Sequence, residues 1–434
     1  MTETSNLITK KIGELFDYTI PGEWGTEGDP ENDIPVLRST NFTNEGRIDY
    51  SNLAFRRIDS RRLALRLVNK ETILIEKSGG SPSQPAGRIV YCDENFNGSA
   101  SNFIEIAKIN NLFCPKYIFF LLHFLYQSGL VLKYQQQTTG IINFKLEQYK
   151  NEEVLLPCDK QEQTQIATIL STIDRAIEQT EALITKQQRI KTGLMQDLLT
   201  KGIDENGNIR SEETHKFKDS PLGRIPVEWE VESCSAICKE IVVGIVIRPA
   251  QYYKPSGVPV LRSANVRENI IDTSDMVYMS ERDNIALNKS RLSVGDLVTV
   301  RTGYPGNTAV ITPELDGSNC VDIVISRPDS RRVRSNYLAL WINSNFGKKQ
   351  ILEGQGGLAQ QHFNVGEVRK LLVKVPRINE QIRIEDLLLL QGREVFKLQS
   401  QLQKLKLQKT GLMQDLLTGK VRVTDLLNQK TAAN

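Results

Sequence analysis

A segment of ten residues occurs twice in this chain. Residues 191–200 read KTGLMQDLLT, and residues 409–418 read the same ten letters. The copies start 218 positions apart in a chain of 434 residues, which is about half its length. Because chance does not produce such a match, the chain contains two copies of one unit.

Other landmarks recur in the same order in both halves. They are residues 21–24 (PGEW) and 226–229 (PVEW), 34–41 (IPVLRSTN) and 258–265 (VPVLRSAN), 154–157 (VLLP) and 373–376 (VKVP), and the Glu-Gln pairs at 162–163 and 380–381. The stretches between them, roughly 45–135 and 267–355, share little beyond their hydrophobic pattern. Constant ends around divergent middles are typical of two modules that do one job on two different targets.

Each half closes with a helical pattern that continues for about five heptads. Starting at Ile166 or Ile384, alternating steps of four and three residues meet mostly apolar side chains. The apolar positions of this stripe are Ile166, Leu170, Ile173, Ile177, Ile184, Leu194 and Leu198 in the first half, and Ile384, Leu388, Val395, Leu398, Leu402, Leu405, Leu412 and Leu416 in the second. We predict two long helices of roughly 50 Å that pair as an antiparallel coiled coil and hold the globular parts at opposite ends.

Polar residues interrupt the stripe at Thr180, Gln187, Lys191, Gln391 and Lys409. Such residues either fix the register of a coiled coil at some cost in stability or line a surface that accepts a partner subunit.

Short β-rich runs and apolar helical runs precede each long helix. Residues 117–126 and 337–346 are the helical runs, and the mixture predicts two globular domains of α/β or α+β class. The predicted order is a globular domain at 1–158, a helix at 159–201, a polar linker at 202–218, a second globular domain at 219–376, a helix at 377–418 and a tail at 419–434.

Composition excludes several classes of protein. A hydrophobic fraction of 39% and a charged fraction of 25% are ordinary for a folded soluble chain, and a net charge of +3 decides nothing about partners. The longest apolar run is too short to span a membrane and no secretory signal is apparent, so we expect a cytoplasmic protein. Six scattered cysteines and only three histidines predict reduced thiols and no metal site.

Two arginine clusters are candidates for contacts with phosphate. One comprises Arg56, Arg57, Arg61, Arg62 and Arg66, and the other lies within 327–334 and includes Arg331 and Arg332. Arginine is well suited to bidentate binding of phosphate, but it is also common on solvated surfaces, so the sequence leaves both interpretations open.

Two pairs of loops at matching positions add further candidates. Glycine-containing loops follow strands at Lys77 and Ser78 in the first half and at Arg301 and Thr302 in the second, where they either approach a phosphate or simply turn the chain. A second pair places Asn143 and Gln360 three residues after a glycine. Their amides either bond adenine or cap the loop.

We identify no catalytic motif in the sequence. It contains neither a phosphate-binding Gly-x-x-x-x-Gly-Lys-Ser/Thr loop, nor a dinucleotide-binding glycine pattern, nor the Asp/Asn-Pro-Pro-Tyr tetrad of amino-methyltransferases. This favours a binding protein without catalytic residues.

The arrangement resembles the DNA-specificity subunit of type I restriction-modification enzymes. The resemblance covers nearly the whole chain and is carried by the opening segment 220–229 (SPLGRIPVEW), by the Glu-Gln pair after a proline, and by the repeated helix ending GLMQDLL. The first half departs from this pattern, because its opening segment is shortened to residues 19–24 (TIPGEW).

The resemblance implies that each globular domain reads one half of a split, asymmetric site in double-stranded DNA. It further implies that the helices set the unread spacing and dock two methyltransferase subunits, through which motor-nuclease subunits join. S-adenosylmethionine, ATP and Mg are then expected on the partner subunits and not on this chain. The near-neutral charge implies low affinity for DNA by the isolated chain.

Other interpretations stay open at this point. The chain could serve a modification-only system or a fused-enzyme restriction system with the same architecture. It could also be a coiled-coil scaffold that binds proteins and has no DNA specificity, or a complete enzyme with an unrecognised active site.

Overall fold

The computed structural model describes residues 7–81, 84–138, 141–354 and 363–424. The chain divides into two compact units. Unit 1 comprises Met1–Glu181 together with Ser400–Asn434, and unit 2 comprises Ala182–Gln399. Unit 1 therefore draws on both ends of the chain, whereas unit 2 is continuous.

Unit 1 contains thirteen of the described strands and the start of a long helix. The strands are β1 (Leu7–Lys11), β2 (Phe16–Pro21), β3 (Thr26–Glu27), β4 (Ile34–Leu37), β5 (Ala54–Arg57), β6 (Ile73–Glu76), β7 (Ser78–Gly80), β8 (Ile89–Tyr91), β9 (Ser99–Ala100), β10 (Ile104–Ile109), β11 (Gln135–Thr138), β12 (Ile141–Phe144) and β13 (Glu153–Pro157). The helices are α1 (Ser60–Ala64), α2 (Pro115–Gln127), α3 (Leu146–Tyr149) and α4 (Lys160–Leu198), with 3-10 turns at Ile12–Leu15, Ser39–Asn41 and Leu130–Tyr134.

Unit 2 repeats this sequence of elements with local changes. Its strands are β14 (Phe217–Lys218), β15 (Ile225–Pro226), β16 (Glu230–Ser233), β17 (Cys238–Val243), β18 (Val258–Leu261), β19 (Val266–Arg267), β20 (Ile270–Ile271), β21 (Val277–Met279), β22 (Leu297–Val300), β23 (Thr308–Val310), β24 (Asn319–Cys320), β25 (Ile323–Pro328) and β26 (Leu372–Val375). Its helices are α5 (Cys234–Ile237), α6 (Glu281–Ala286), α7 (Ser335–Asn343), α8 (Asn345–Gly354), α9 (Val365–Lys370) and α10 (Ile378–Leu417), with 3-10 turns at Pro249–Tyr252, Ser263–Asn265, Asn288–Ser290 and Pro313–Leu315.

The sheets of the two units correspond. A four-stranded antiparallel sheet has the order β2-β10-β6-β8 in unit 1 and β17-β25-β22-β23 in unit 2. A second sheet, β3-β5-β4-β9 in unit 1 and β21-β18-β24 in unit 2, contains one parallel pairing, β4 with β9 and β18 with β24. The strand before each long helix pairs with an early strand of the same unit, β13 with β1 and β26 with β16. The mixed α/β class predicted for both halves is confirmed.

The central strands form because most of their side chains are apolar on both faces. All four residues of β6 and of β22 are buried, and helices α2 and α7 pack on the sheets that contain them. Helix α2 begins at Pro115, whose fixed φ favours the first helical position. The second helical run is broken at Ser344, which separates α7 from α8 and differs from the single run that the apolar pattern suggests. The Ser344 hydroxyl donates to the Trp341 carbonyl at this break.

The predicted pairing of the long helices is confirmed. All the apolar stripe positions are buried or half-buried in α4 and α10. Within unit 1 the Lys409 ammonium lies 2.7 Å from Asp174, and Lys406 lies 3.0 Å from Glu181. From the first pair to the second, the residue number falls in α10 and rises in α4, so these helix segments are antiparallel. Within unit 2 the Gln391 amide donates to the Gln187 side chain at 2.7 Å.

The repeated segment packs into a globular core at both of its occurrences. Leu198 and Leu199, from the first copy, belong to the core of unit 2. Met413 and Leu416, from the second copy, belong to the core of unit 1. Each copy meets a site of the same fold, which is a physical reason for two identical sequences.

The segment predicted to be a linker is ordered. Ile203 and Arg210 are buried, and Ile203 forms a β-bridge with Ile209. Residues 217–218 pair with β15. Most residues of this segment are polar, so its sequence does not indicate that Ile203 and Arg210 are buried.

No helix in the described ranges is long and apolar enough to cross a lipid bilayer.

Candidate nucleic-acid interface

The repeated Leu-Arg-Ser-x-Asn motif forms hydrogen bonds to the backbone of the loop that follows it in each unit. In unit 1 the Asn41 side chain accepts from the Arg38 amide at 2.9 Å and donates to the carbonyls of Asp49 and Asn52. The Arg38 guanidinium donates to the same Asn52 carbonyl at 3.0 Å. The motif therefore fixes the backbone of residues 42–52.

Unit 2 contains the same network. Asn265 accepts from the Arg262 amide at 2.9 Å and donates to the carbonyls of Asp272 and Asp275. Arg262 also donates to the Asp275 carbonyl at 2.9 Å. These matched contacts explain why the motif recurs, since it supports the scaffold of both units and leaves the loop sequence free to vary.

Lys77, Ser78 and Asn143, three predicted contact residues, lie together in unit 1. Asn143 is on β12, which pairs with β7, where its Cα partner is Ser78. The Ser78 hydroxyl donates to the Asn143 side chain at 2.5 Å. Lys77 precedes β7, and its ammonium lies 2.9 Å from Glu105. The structure thus gathers two polar side chains and one cation at the end of β6.

Arg301 occupies the matching place in unit 2. It follows β22 as Lys77 follows β6, and it forms an ion pair with Asp322. The backbone connections also match, because the Lys77 carbonyl accepts from Phe144 at 2.7 Å and the Arg301 carbonyl accepts from Phe363 at 3.3 Å. Thr302 is half-buried beside Arg301. Gln360, the remaining predicted amide, lies outside the described residues.

The first arginine cluster surrounds the opening segment of unit 1. The Arg56 guanidinium stacks on the Trp24 ring at 3.8 Å from its centre. Arg66 donates to the Pro21 carbonyl at 3.0 Å, and Arg62 lies 3.8 Å from Glu23.

The members of this cluster differ in exposure. Arg57 and Arg62 present 70% and 68% of their side chains to solvent, and Arg61 is also exposed. Arg56 and Arg66 are half-buried. Phosphate contact stays a prediction for the exposed Arg57, Arg61 and Arg62, while Arg56 and Arg66 contact the opening segment of the unit.

The second arginine cluster is largely occupied by contacts within unit 2. Arg332 lies 2.5 Å from Glu232 and donates to the Ala236 carbonyl, and Arg334 bonds Glu385 of α10 at 2.9 Å. Arg331 is 85% exposed, and its hydrogen bond lowers the pKa of Asp329 to about 2. Phosphate contact stays a prediction for Arg331 and Arg332.

The repeated Glu-Gln pair joins each long helix to its globular part, a role that sequence reasoning did not assign. The Gln163 side chain donates to the Pro157 carbonyl at 2.8 Å and accepts from the amide of Cys114, which precedes α2. Gln381 does the same with Pro376 and Arg334, which precedes α7. Recurrence in both halves was the only signal for this role.

The glutamates of these pairs bind arginines from segments that follow a helix. Glu162 accepts two bonds from Arg422, at 2.7 and 2.6 Å. Glu380 pairs with Arg210 and accepts from the Trp229 indole at 3.1 Å and from the Ile203 amide at 2.9 Å. These buried contacts fasten the end of one long helix to the start of the other within each unit.

The described residues contain no group of three or more His, Cys, Asp or Glu side chains arranged to hold a metal ion. All six cysteines are free thiols, and burial raises the pKa of Cys238 to about 12. A buried thiol with a raised pKa is poorly nucleophilic.

Comparison with known proteins gives a consistent result. Residues 5–187 match the family model for the type I restriction modification DNA specificity domain. The chain is 26% identical over 370 residues to the type I restriction enzyme MjaVIII specificity subunit of Methanocaldococcus jannaschii, which covers 83% of this chain and 81% of the relative. It is 25% identical over 211 residues to the putative type I restriction enzyme MjaX specificity subunit of the same organism, which covers 46% of this chain and 48% of that relative.

Solved structures share the fold. The S subunit of a type I restriction-modification system from M. genitalium superposes with a TM-score of 0.62 at 16% identity, over 96% of this chain and 97% of that one. A chain from a structural study of complex assembly in the type I restriction-modification system superposes with a TM-score of 0.53 at 15% identity, over 96% and 98% of the two chains.

The resemblance to the specificity subunits of type I restriction-modification enzymes, which the repeat and its motifs carry, is thereby confirmed.

Proposed function

We propose that the chain is a non-catalytic DNA-reading subunit in which unit 1 binds one half of a split site and unit 2 binds the other. The observation that carries this proposal is the matched placement of Lys77 and Arg301. Both follow the equivalent strand of the central sheet, both are held by a carboxylate, and the residues around them differ. The cation at this shared position would contact phosphate in both units. The neighbouring residues, which differ between the units, would contact different bases.

The arginine cluster of unit 1 supports the same proposal. Arg57, Arg61 and Arg62 are exposed on or beside the short helix α1, whose first turn is capped by Asp59. Exposed guanidiniums on a fixed backbone position a protein on a duplex without reading its sequence.

The long helices are proposed to set the unread gap and to dock methyltransferase subunits. They contain 39 and 40 residues, and each contributes to both units. Their length is fixed by helical rise at about 1.5 Å per residue, so a gap set by them would be constant. We further propose that S-adenosylmethionine, ATP and Mg bind to methyltransferase and motor-nuclease partners and that this chain binds none of them.

The decisive experiment is to co-express the chain with its cognate methyltransferase subunit and to map methylated adenines by long-read sequencing. We expect one motif of two short constant parts separated by a gap of fixed length. A stable complex that methylates no common motif would overturn the proposal in favour of a protein scaffold. Methylation by this chain without a partner would indicate an enzyme instead.

A further inference from the structure

The three-stranded sheet of unit 1 carries a row of polar side chains. Its order is β11-β12-β7, with Gln136 opposite Asn143 and Asn143 opposite Ser78. Directly opposed residues in an antiparallel pair share a face of the sheet. Gln136, Asn143 and Ser78 therefore form one row across the three strands, which we call the amide row.

The other face of this hairpin is used for packing. Gln135 and Phe144 are opposed, and Phe144 is buried in the core at 5% exposure. The Gln135 amide donates to the carbonyls of Ala86 and Val131 and accepts from the Ala86 amide. Since this face is fastened to the body of unit 1, the amide row faces away from it, and Gln136 at its end is exposed.

Two neighbouring groups make this face suitable for nucleic acid. The Ser39 hydroxyl donates to the Ser78 carbonyl at 3.4 Å, so the constant Leu-Arg-Ser-x-Asn motif supports the strand that carries the row. Lys77, directly before that strand, provides a cation. The row thus places side chains that can donate and accept hydrogen bonds beside a cation, on strands that are held by backbone pairing.

We propose that the amide row of unit 1 enters the major groove and that Gln136 reads an adenine of the first half-site. The inference rests on the proposed DNA-reading function. A two-stranded β-ribbon fits the major groove, and a glutamine amide matches adenine N6 and N7 with two hydrogen bonds. The alternating pattern supplies a matched control, because Gln137 is the next residue of the same strand, is also exposed, and points to the opposite face.

The test compares three variants in the co-expressed complex, with methylated sites mapped as for the natural chain. Gln136→Ala should lose about tenfold to a hundredfold of the discrimination at one base pair of one half-site, with the other half-site unchanged. Gln136→Glu should shift the preference at that base pair towards cytosine, whose N4 amine donates to a carboxylate. Gln137→Ala should leave the motif unchanged.

Each other outcome counts against the proposal. An unchanged motif in Gln136→Ala, an equal loss at all sequences, or the same change in Gln137→Ala would each overturn the assignment of Gln136. If the natural chain directs no split motif at all, the proposed function fails first, and that result is visible before any variant is made.

Discussion

Glu380 is a buried carboxylate whose partners come from three different parts of unit 2. Changing it to glutamine leaves the Arg210 guanidinium buried without a counter-charge, so Glu380→Gln should lower the free energy of unfolding by about 3 kcal/mol. Asp197→Asn is the matched control, because its ion pair with Lys201 leaves the side chains 39% and 48% exposed, and exposed pairs contribute less than about 1 kcal/mol. Urea unfolding of both variants measures the difference, and equal losses would contradict a structural role for the pair.

His123 is expected to make the stability of unit 1 depend on pH. Burial, followed by the positive charge of Lys409, lowers the pKa of His123 from 6.5 to about 3. The unfolded chain therefore binds a proton between these values that the folded chain does not, so stability is full above pH 6.5 and falls as the pH drops towards 3. Between pH 6.5 and pH 5, protonation of His123 in the unfolded chain should lower the free energy of unfolding by about 1.5 kcal/mol.

Replacing His123 with leucine tests this expectation. The variant removes the titrating group from a site where the ring stacks on Phe119 and keeps an apolar side chain there. Its free energy of unfolding should change less than that of the natural chain between pH 6.5 and pH 5, a range above the ordinary pKa of most carboxylates. Parallel pH profiles for the two proteins would show that His123 is not responsible.

At the scale of an element, the contact between Gln187 and Gln391 tests the helix pairing. Each side chain is half-buried in the stripe, and the two bond each other at 2.7 Å. Gln391→Leu should lower the free energy of unfolding by about 1 kcal/mol, because it leaves the Gln187 side chain without this hydrogen-bond partner. The double variant Gln187→Leu with Gln391→Leu should be more stable than the single variant, since the paired leucines restore an apolar contact. A double-mutant cycle from urea unfolding gives the coupling, and purely additive effects would argue against the contact.

The long helices could be predicted because their stripe is periodic over many turns, so local sequence determined which faces are buried. The contacts at the ends of these helices could not be predicted in the same way, because their partners are distant in sequence. Arg332 and Arg334 lie in a cluster that suggests phosphate binding, yet their carboxylate partners Glu232 and Glu385 are 100 and 51 positions away. Likewise Arg210 looks like a linker residue until Glu380, 170 positions later, is placed beside it. Local patterns carry no information about such distant partners.

At the scale of the whole molecule, the exposed arginines of unit 1 should contribute to the salt dependence of DNA binding. Changing Arg57, Arg61 and Arg62 to alanine in the assembled complex should reduce the slope of log affinity against log salt by about 2 to 3, since each lost phosphate contact removes about 0.9. Fluorescence anisotropy over a salt series measures this slope. The control changes the exposed lysines Lys70, Lys108 and Lys133, which alters the net charge equally and should leave the slope unchanged. Equal effects of the two triple variants would mean that only overall charge matters.

The way unit 1 is assembled has a consequence for how the chain is made. Its core includes Met413, Leu416, Leu417 and Val423, all from the last part of the sequence, whereas unit 2 is built from residues 182–399 alone. A ribosome that synthesises this chain from its first residue therefore completes the second unit before the first. The core of residues 1–181 is incomplete, and part of its apolar surface is exposed to solvent, until the final helix has been synthesised and packs against it.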